Sequence, residues 1–442
     1  MANGYINGTC WILSQLSLNF QDAEKFCQSN NGHLASIHDA LSNSQLTASA
    51  LGAFNGAEFF VGGSYVQNKW TWSDGTAFDF TDWATNEPNS HSTCISISVS
   101  SGLWYSYDCS APLRFACLTN AISISDTFTN PIHSPGPDPW ILKHENMYYF
   151  THTTGVNVVL YKTYDITQVQ SVQPVIIWTP PSSGLYSQQI WAPEIHFIDG
   201  KFYVYFTADD GNNDNHRIYC IENSAADPTT GQWIFKGKVG KVGDPANHWA
   251  IDVSTFEFQG QRYMIWSGWK DYVNVAQQIY IAKMLNPWTL DGDRVMLSEP
   301  IYDWEKVGGP PTINEGPEAL ISPSGQLFLT YSASVCWVDN YALGLLTLKV
   351  GGNPLNSGDW SKSNIPVFSQ NLGAYGPGHN GFFKSPDGTE DWIVYHANPQ
   401  PGQGCGDIRS ARIQKIGWNE DGTPFLGIPT PINVAIKKPM GL

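Results

Sequence analysis

The sequence predicts two domains, a small disulfide-stapled α+β domain followed by an all-β domain built as a five-bladed β-propeller. Two observations lead to this prediction. Cysteines are dense only near the start of the chain, where five of the eight lie at positions 10, 27, 94, 109 and 117. From residue 126 onward, a strand pattern of long period recurs five times. We therefore expect residues 1–120 and 126–442 to form separate domains, joined without a Pro- or Gly-rich spacer.

The composition excludes several classes of protein. The 442 residues are 42% hydrophobic and only 14% charged, which excludes a disordered chain. The net charge of −16 argues against nucleic acid and anionic membrane as partners, because both attract clustered Lys and Arg. The chain is rich instead in aromatic residues, with 18 Trp, 20 Tyr and 21 Phe. Flat aromatic faces stack on sugar rings, so carbohydrate is a candidate ligand.

The first domain combines a helical stretch around residues 22–27 with short Trp-rich strands near residues 69–75. Five cysteines within about 120 residues predict disulfides, and disulfides imply an oxidising compartment outside the cell. The opening Met1-Ala-Asn-Gly carries neither the basic start nor the apolar stretch of a signal peptide. We expect an extracellular protein although no signal peptide is visible in this chain.

The second domain repeats a unit made of a polar residue, a strand, a tight turn and an aromatic strand. Turn signals such as Asp199-Gly200 and Gln259-Gly260 separate the two strands of each unit. Five polar residues mark the units at intervals of 56, 58, 63 and 64 residues: Asp138, Glu194, Asp252, Glu315 and His379. Units of about 60 residues suit propeller blades better than solenoid coils. Unrelated hairpins in a sandwich are the alternative.

The five markers stand at the start of the first strand of each unit, which lines the central axis of a propeller. Their side chains should therefore converge at one end of the axis. Converging carboxylates suit either cation binding or glycoside hydrolysis. Two carboxyls about 6.5–9.5 Å apart leave room for a water and give inversion. A third carboxylate nearby would keep the acid protonated, since like charges raise its pKa.

Residues 10–118 resemble a C-type lectin-like domain, through Gly32-His33-Leu34-Ala35-Ser36-Ile37 and the Trp-rich phrase at residues 69–75. The resemblance implies bridges between Cys27 and Cys117 and between Cys94 and Cys109. It leaves the pairing of four other cysteines open: Cys10, Cys220, Cys336 and Cys405.

The family's calcium-and-sugar site takes ligands from a Glu-Pro-Asn loop, which corresponds here to Glu87-Pro88-Asn89. Its second ligand pair, Asn-Asp after a Trp, is replaced by Tyr105-Ser106 after Trp104. Sugar binding through calcium at Glu87 and Asn89 is therefore one alternative, and a calcium-free scaffold is the other.

Residues 126–435 resemble glycoside hydrolase family 43, a family of five-bladed propellers that act with inversion on arabinans and xylans. The matching phrases are Gly136-Pro137-Asp138-Pro139, Trp249-Ala250-Ile251-Asp252 and Asn314-Glu315-Gly316-Pro317. The resemblance implies that Asp138 is the general base, Glu315 the general acid, and Asp252 the group that orients the acid and raises its pKa. Counting along the strand leaves Glu318 as a rival of Glu315, and alternation predicts that only one of the two faces the axis.

Four further residues follow from the same resemblance. Trp191 and Glu194 lie in the second-unit phrase Trp191-Ala192-Pro193-Glu194 and are candidates for substrate binding, with core packing as the alternative. Arg409 matches a substrate-contacting arginine, with Arg412 as its rival. His379 matches a position near an axial metal, usually calcium, with a buried structural histidine as the alternative.

These phrases look most like α-L-arabinofuranosidases, which release terminal arabinose from plant-type polysaccharides or oligosaccharides. A β-xylosidase, an arabinanase and a non-catalytic carbohydrate-binding protein are the alternatives. The three catalytic positions all carry the expected carboxylates, which argues against a protein that only binds sugar. The lectin-like domain would then deliver the enzyme to a polysaccharide surface.

Overall fold

A computed structural model of the chain describes residues 2–6, 9–29, 32–54, 56–120, 127–242 and 247–442. The chain divides into two compact units, Met1–Ser125 and Asp126–Leu442. The predicted joint at residues 121–125 lies outside the described residues. Both units are mostly β, and no helix among the described residues has the length and apolarity needed to cross a membrane.

The first unit packs two helices against a mixed sheet of eight strands. The helices are α1 (Phe20–Ser29) and α2 (Ala40–Phe54). The strands are β1 (Ala2–Ile6), β2 (Thr9–Leu18), β3 (Gly32–Leu34), β4 (Phe59–Val66), β5 (Lys69–Trp72), β6 (Cys94–Ile97), β7 (Trp104–Tyr107) and β8 (Leu113–Asn120). The sheet order is β1-β2-β8-β4-β6-β7, with β3 added to β8 and β5 to β4.

Local side chains define the helix starts of this unit. The Asn19 side chain accepts the Asp22 N–H at the start of α1, and the Asp39 carboxylate accepts the Ser42 N–H at the start of α2. Such caps satisfy N–H groups that have no partner inside the helix. Between helices and sheet lies a core that includes the buried rings of Trp72 and Trp104.

Disulfides link Cys27 to Cys117 and Cys94 to Cys109, the pairs that the resemblance implies. A third bridge, Cys336–Cys405, lies in the second unit. Cys220 is a buried free thiol. The sequence did not predict the pairing of Cys220, Cys336 and Cys405, because nothing in their spacing indicates a partner.

The described residues of the second unit form five four-stranded antiparallel groups. The first holds β10 (Trp140–His144), β11 (Met147–Thr151), β12 (Val158–Thr163) and β13 (Val175–Trp178). The second holds β14 (Gln188–Ile198), β15 (Lys201–Asp209), β16 (Arg217–Asn223) and β17 (Ile234–Lys238). The third holds β19 (Ala250–Phe258), β20 (Gln261–Trp269), β21 (Ala276–Asn286) and β22 (Thr289–Ser298), with the short β18 (Gly240–Lys241) parallel to β22.

The fourth group holds β23 (Thr312–Ile321), β24 (Leu327–Ala333), β25 (Ala342–Leu348) and β26 (Trp360–Lys362). The fifth holds β27 (Tyr375–Lys384), β28 (Asp391–Asn398), β29 (Ser410–Trp418) and β30 (Pro424–Phe425). A short parallel pairing of β21 with β23 joins the third and fourth groups. The two ends of the unit meet where β9 (Thr127–Thr129) pairs with β31 (Ala435–Lys437).

The predicted tight turns occur between the first two strands of a group. Asp199 and Gly200 have φ values of 50° and 81°, and Gln259 and Gly260 have 51° and 76°. Two consecutive positive φ angles are typical of a type I′ turn, which matches the twist of a hairpin. Glycine at the second position adopts this conformation at no steric cost.

A residue with left-handed backbone conformation recurs at the entry to each group. Positive φ values occur at five positions: Asp138 (50°), Ala192 (43°), Asp252 (54°), Gly316 (52°) and His379 (45°). In the last four groups this residue lies where the pairing of the first two strands shifts register. Such bulges re-aim side chains next to active sites, and non-glycine residues at positive φ carry strain.

The recurring bulge corrects two expectations. The five sequence markers are not equivalent, because Glu194 follows the left-handed residue of its group by two positions and Glu315 precedes it by one. The alternation that would separate Glu315 from Glu318 is broken by the bulge at Gly316. Both side chains are buried, with Glu315 8% and Glu318 3% exposed.

Candidate active site

The entry strands bring together the side chains of Asp138, Asp252, Glu315 and His379. The His379 Nδ1 atom lies 3.5 Å from Asp138 Oδ1 and 3.9 Å from Asp252 Oδ2. The backbone N–H of Gly316 donates to Asp252 Oδ2 at 3.1 Å, which joins the third group to the fourth. All four side chains are buried or nearly so. Residues separated in sequence by 114, 63 and 64 positions thus form one cluster.

Asp138 is the ionised member of the cluster. Its Oδ1 accepts a bond from the Arg409 guanidinium at 2.8 Å, and its backbone N–H donates to His396 Nδ1 at 3.1 Å. Burial raises the pKa of Asp138, but the neighbouring charge of Arg409, followed by that of His379, outweighs that effect and holds the pKa well below its usual range. Burial lowers the pKa of His396 to about 3, so this ring is neutral and its Nδ1 accepts.

Glu315 and Asp252 have the opposite character. Burial raises the pKa of Glu315 to about 7, with Asp138 adding to the rise while Tyr341 and Arg409 oppose it. Burial, followed by the charges of Glu315 and Asp138, raises the pKa of Asp252 well above its usual range. The pair therefore retains a proton near neutral pH, beside a carboxylate that does not. Such a division separates a general acid from a general base.

The Tyr341 hydroxyl donates to Glu315 Oε1 at 2.9 Å. Tyr341 and His396 are functional neighbours that the sequence reasoning missed. His396 ends the aromatic strand phrase of the fifth repeat, so its position in the repeat was a usable signal. Tyr341 lies in the connection between β24 and β25, where no motif indicates it.

Glu194 and Glu318 form a second buried pair that is separate from the Glu315 carboxyl. Glu194 Oε2 lies 2.9 Å from His196 Nε2, and the Ser254 hydroxyl donates to Glu318 Oε2 at 3.0 Å. Burial, then the neighbouring Glu194, raises the pKa of Glu318 well above its usual range, and the two carboxyl groups share a hydrogen bond. A role for Glu194 in substrate binding stays a prediction.

The two candidate arginines differ in their surroundings. Arg409 contacts Asp138, whereas Arg412 is fully buried and donates to the backbone carbonyls of Gly373 and Ala397. Of the two, only Arg409 lies at the cluster. Whether it touches substrate stays a prediction.

Trp191 is half-buried beside an aromatic group. Its ring stacks on His216 with centroids 4.1 Å apart, and it packs on the buried pair Trp249 and Trp269, whose centroids are 4.6 Å apart. One face of Trp191 is therefore used for packing. Its role as a sugar platform stays a prediction.

The residues around His379 do not form a calcium site by themselves. Calcium prefers six to eight oxygen ligands. Among the described residues, no three His, Cys, Asp or Glu side chains converge so that they could hold a metal ion. The two carboxylates nearest His379 are those of Asp138 and Asp252, which are engaged with Arg409 and Gly316. Calcium near His379 stays a prediction, and no chemical step is derived through it.

The Glu87 loop of the first unit also fits calcium poorly. The Glu87 carboxylate accepts the backbone N–H groups of Asn89 and Ser106, each at 3.0 Å, and the Asn89 side-chain oxygen accepts the His91 N–H. The Ser106 hydroxyl accepts the Asn89 N–H at 2.9 Å. Ser106 stands where the lectin family has a ligand carboxylate, and its hydroxyl accepts a hydrogen bond from the loop backbone. Sugar binding through calcium at Glu87 and Asn89 stays a prediction.

Comparison with known proteins identifies both units. Residues 128–424 match the profile of the Glycosyl hydrolases family 43, and residues 16–119 match that of the Lectin C-type domain. Both resemblances drawn from the sequence are thereby confirmed.

The chain is 42% identical over 323 residues to an extracellular exo-α-(1→5)-L-arabinofuranosidase of Streptomyces avermitilis, which covers 70% of this chain and 65% of that protein. It is 37% identical over 331 residues to α-L-arabinofuranosidase 43 of Humicola insolens, covering 72% of this chain and 66% of the relative. The chain thus spans slightly less than two thirds of the length of these relatives. The crystal structure of an α-L-arabinofuranosidase from Lactobacillus brevis aligns with a TM-score of 0.64 and 36% identity, over 70% of this chain and 98% of that one.

Proposed function

Since the chain belongs to the glycosyl hydrolases of family 43, we propose that its second unit is an inverting glycosidase that releases terminal α-L-arabinofuranose from arabinan or arabinoxylan-type polysaccharides. The observation that carries this proposal is the division of protonation states in the cluster. Asp138 is held ionised by Arg409, while the buried Glu315 and Asp252 retain a proton. Inverting hydrolysis needs such a base and such an acid in one site.

We propose that the unit closes as a five-bladed β-propeller. Three features support closure: five four-stranded antiparallel groups, a left-handed residue at the entry to each, and the pairing of β9 with β31 at the two ends of the unit. Five groups fall within the four to eight blades that are usual for propellers.

In the proposed mechanism, Asp138 takes a proton from a water molecule that attacks the anomeric carbon. Glu315 gives its proton to the departing glycosidic oxygen. Asp252 orients Glu315, and the two groups together keep a proton, because two like charges in one buried site disfavour each other. Each acid–base group contributes about 10²–10⁴-fold to the rate. The mechanism involves no covalent glycosyl–enzyme bond, so the product has the opposite anomeric configuration.

The preference for arabinofuranose rests on the relatives, whose names describe arabinofuranosidases. Two of the alternatives, a β-xylosidase and an arabinanase, would use the same carboxylates with a differently shaped pocket. A non-catalytic sugar-binding protein would have no need of the ion pair that keeps Asp138 charged. Relatives named as extracellular also support a secreted protein acting on a plant-type polysaccharide.

The test is hydrolysis of aryl α-L-arabinofuranoside beside aryl β-D-xyloside, with soluble arabinan as a third substrate. Release from the arabinoside with inversion, seen by proton NMR of the first-formed sugar, would support the proposal. Turnover of the xyloside alone would mean that the substrate is a β-xyloside rather than an α-L-arabinofuranoside. Aryl groups that leave easily need little acid help, so the Glu315→Gln control should lose most activity on arabinan and less on the aryl glycoside. A trapped covalent intermediate would overturn the mechanism.

A further inference from the structure

The connection between β24 and β25 places one buried hydroxyl group on the Glu315 carboxyl. Tyr341, which is 1% exposed, donates to Glu315 Oε1 at 2.9 Å. Its ring stacks on His396 with centroids 5.8 Å apart and planes 10° apart. The Cα of Gly378 lies directly against the ring, since an added Cβ there would come within 2.2 Å of a ring carbon. Contacts with His396 and Gly378 therefore fix the position of the ring that carries the hydroxyl.

The connection that carries Tyr341 is tied to the connection that carries Arg409. Cys336 and Cys405 form a disulfide between the two. A second link lies close by, where the backbone N–H of Gly402 donates to both carboxylate oxygens of Asp339 at 2.9 and 3.0 Å. One covalent bridge therefore joins the segment that contacts Glu315 to the segment that contacts Asp138.

We propose that Tyr341 is a positioning residue for the general acid, and that the Cys336–Cys405 disulfide holds Tyr341 in place. This inference rests on the function proposed above. By donating to Oε1, Tyr341 leaves Oε2 as the oxygen that carries the proton, and so directs that proton at the leaving group. A glutamic acid without this bond could rotate and carry its proton on either oxygen.

The hydroxyl also sets the pH at which Glu315 loses its proton. Four charged or titratable groups lie around Glu315: Asp252 from β19, Asp138 from the first group, Arg409 from the fifth group, and Tyr341. Burial and the Asp138 carboxylate favour the protonated form of Glu315, whereas the Tyr341 hydroxyl and Arg409 favour the ionised form. Burial raises the pKa of Tyr341 itself well above its usual range, so the hydroxyl remains a donor throughout the working range.

Tyr341→Phe is the direct test. Without the hydroxyl, the ionised form of Glu315 loses a stabilising bond, its pKa rises, and the alkaline limb of the kcat/KM profile should move up by about one pH unit. We expect kcat to fall about tenfold, with KM changed less than twofold, because the bond aims the acid rather than binding sugar. An alkaline limb that coincides with that of the unmodified protein would overturn the inference.

The chain offers a matched control in Tyr331→Phe. The Tyr331 hydroxyl is also buried and donates to a glutamate, Glu305 Oε1, at 3.0 Å, but Glu305 is not a member of the cluster. This variant should lower the melting temperature without moving the alkaline limb. If both variants shift the limb equally, the effect is a general consequence of losing a buried hydroxyl, and the inference fails.

The disulfide is tested by the double variant Cys336→Ser, Cys405→Ser. It should move the alkaline limb in the same direction as Tyr341→Phe, by a smaller amount, because the link through Asp339 and Gly402 remains. A folded double variant with an unchanged profile would remove the disulfide from the inference and leave Tyr341.

A substrate-free measurement separates this inference from the proposed function. The carbonyl stretch of protonated Glu315, isolated as an infrared difference against Glu315→Gln, can be titrated in the unmodified protein and in Tyr341→Phe. A higher titration midpoint in Tyr341→Phe supports the inference even if no glycoside is cleaved. An equal midpoint refutes it even if arabinoside is cleaved.

Discussion

Glu87 in the lectin-like unit and Glu315 in the hydrolase unit are glutamates with opposite protonation. The Glu87 carboxylate accepts two backbone N–H groups, from Asn89 and Ser106, and stays partly open to solvent. Burial raises its pKa, but these bonds together outweigh burial, and the pKa is lowered. Glu315 is buried and, among the described residues, its carboxyl accepts only the Tyr341 hydroxyl. Burial there raises the pKa to about 7.

The comparison shows that donors and burial, rather than residue type, decide what a glutamate can do. Backbone N–H groups favour the charged form and close a loop, whereas a dry pocket with a neighbouring carboxylate favours the neutral form and stores a proton. The second unit holds a charged and a neutral carboxyl group within one cluster. Arg409 stabilises the charged form of Asp138, as backbone N–H groups stabilise the charged form of Glu87.

The largest effect is expected when the charged member of the cluster is neutralised. Asp138→Asn should lower kcat about 10²–10⁴-fold on any substrate that the enzyme cleaves, since the attacking water loses its base. Glu24→Gln, in the lectin-like unit, is the control and should leave turnover of a small aryl glycoside unchanged. Steady-state kinetics of both variants checks this. Near-normal turnover by Asp138→Asn would mean that another group is the base.

The pH profile of the unmodified enzyme tests the division of protonation states. Asp138 must be ionised, so activity is present above its lowered pKa and should persist below pH 3.8. Glu315 must be protonated, so activity is present below a pKa of about 7 and should then fall about tenfold per pH unit as pH rises. Measuring kcat/KM from pH 3 to 9 checks both limbs. An optimum confined to alkaline pH would contradict the assignment of the acid.

In the lectin-like unit, removing the carboxylate should cost stability rather than turnover. Glu87→Ala leaves the Ser106 N–H without its acceptor, which costs about 1 kcal/mol or a few degrees of melting temperature for a unit of this size. Scanning calorimetry of the full chain checks this. Calcium at 1 mM should raise the melting temperature of the unmodified unit by less than about 1 °C, because a site with a dissociation constant of about 10 mM or weaker gives less than about 0.1 kcal/mol of stabilisation. A rise of several degrees would restore the calcium alternative.

Much of the site was predictable because the repeat and the motifs are local in sequence. Asp138, Asp252, Glu315 and His379 stand at the entries to four of the five groups, and the structure brings these four side chains together. The register was predicted less well, since alternation along a strand cannot anticipate a bulge at Gly316 that buries Glu318 as well.

The partners of the cluster were harder to predict than its members. Tyr341 and the Cys336–Cys405 bridge lie in connections whose paths depend on tertiary contacts, so no repeat or spacing indicates them. The pKa values also escape the sequence, because the balance of burial against Arg409 is decided only when the fifth group folds beside the first.

The smallest effect is expected from removing the lectin-like unit. The hydrolase unit has its own cores and pairs its two ends through β9 and β31, so a chain without residues 1–120 should fold and cleave a small aryl glycoside at the full rate. On an insoluble polysaccharide, the loss of a second binding site lowers the local concentration of substrate, and activity should fall roughly threefold to tenfold. Parallel assays on the two substrates check this. Equal losses on both would mean that the first unit supports the fold of the second rather than its contact with the polysaccharide.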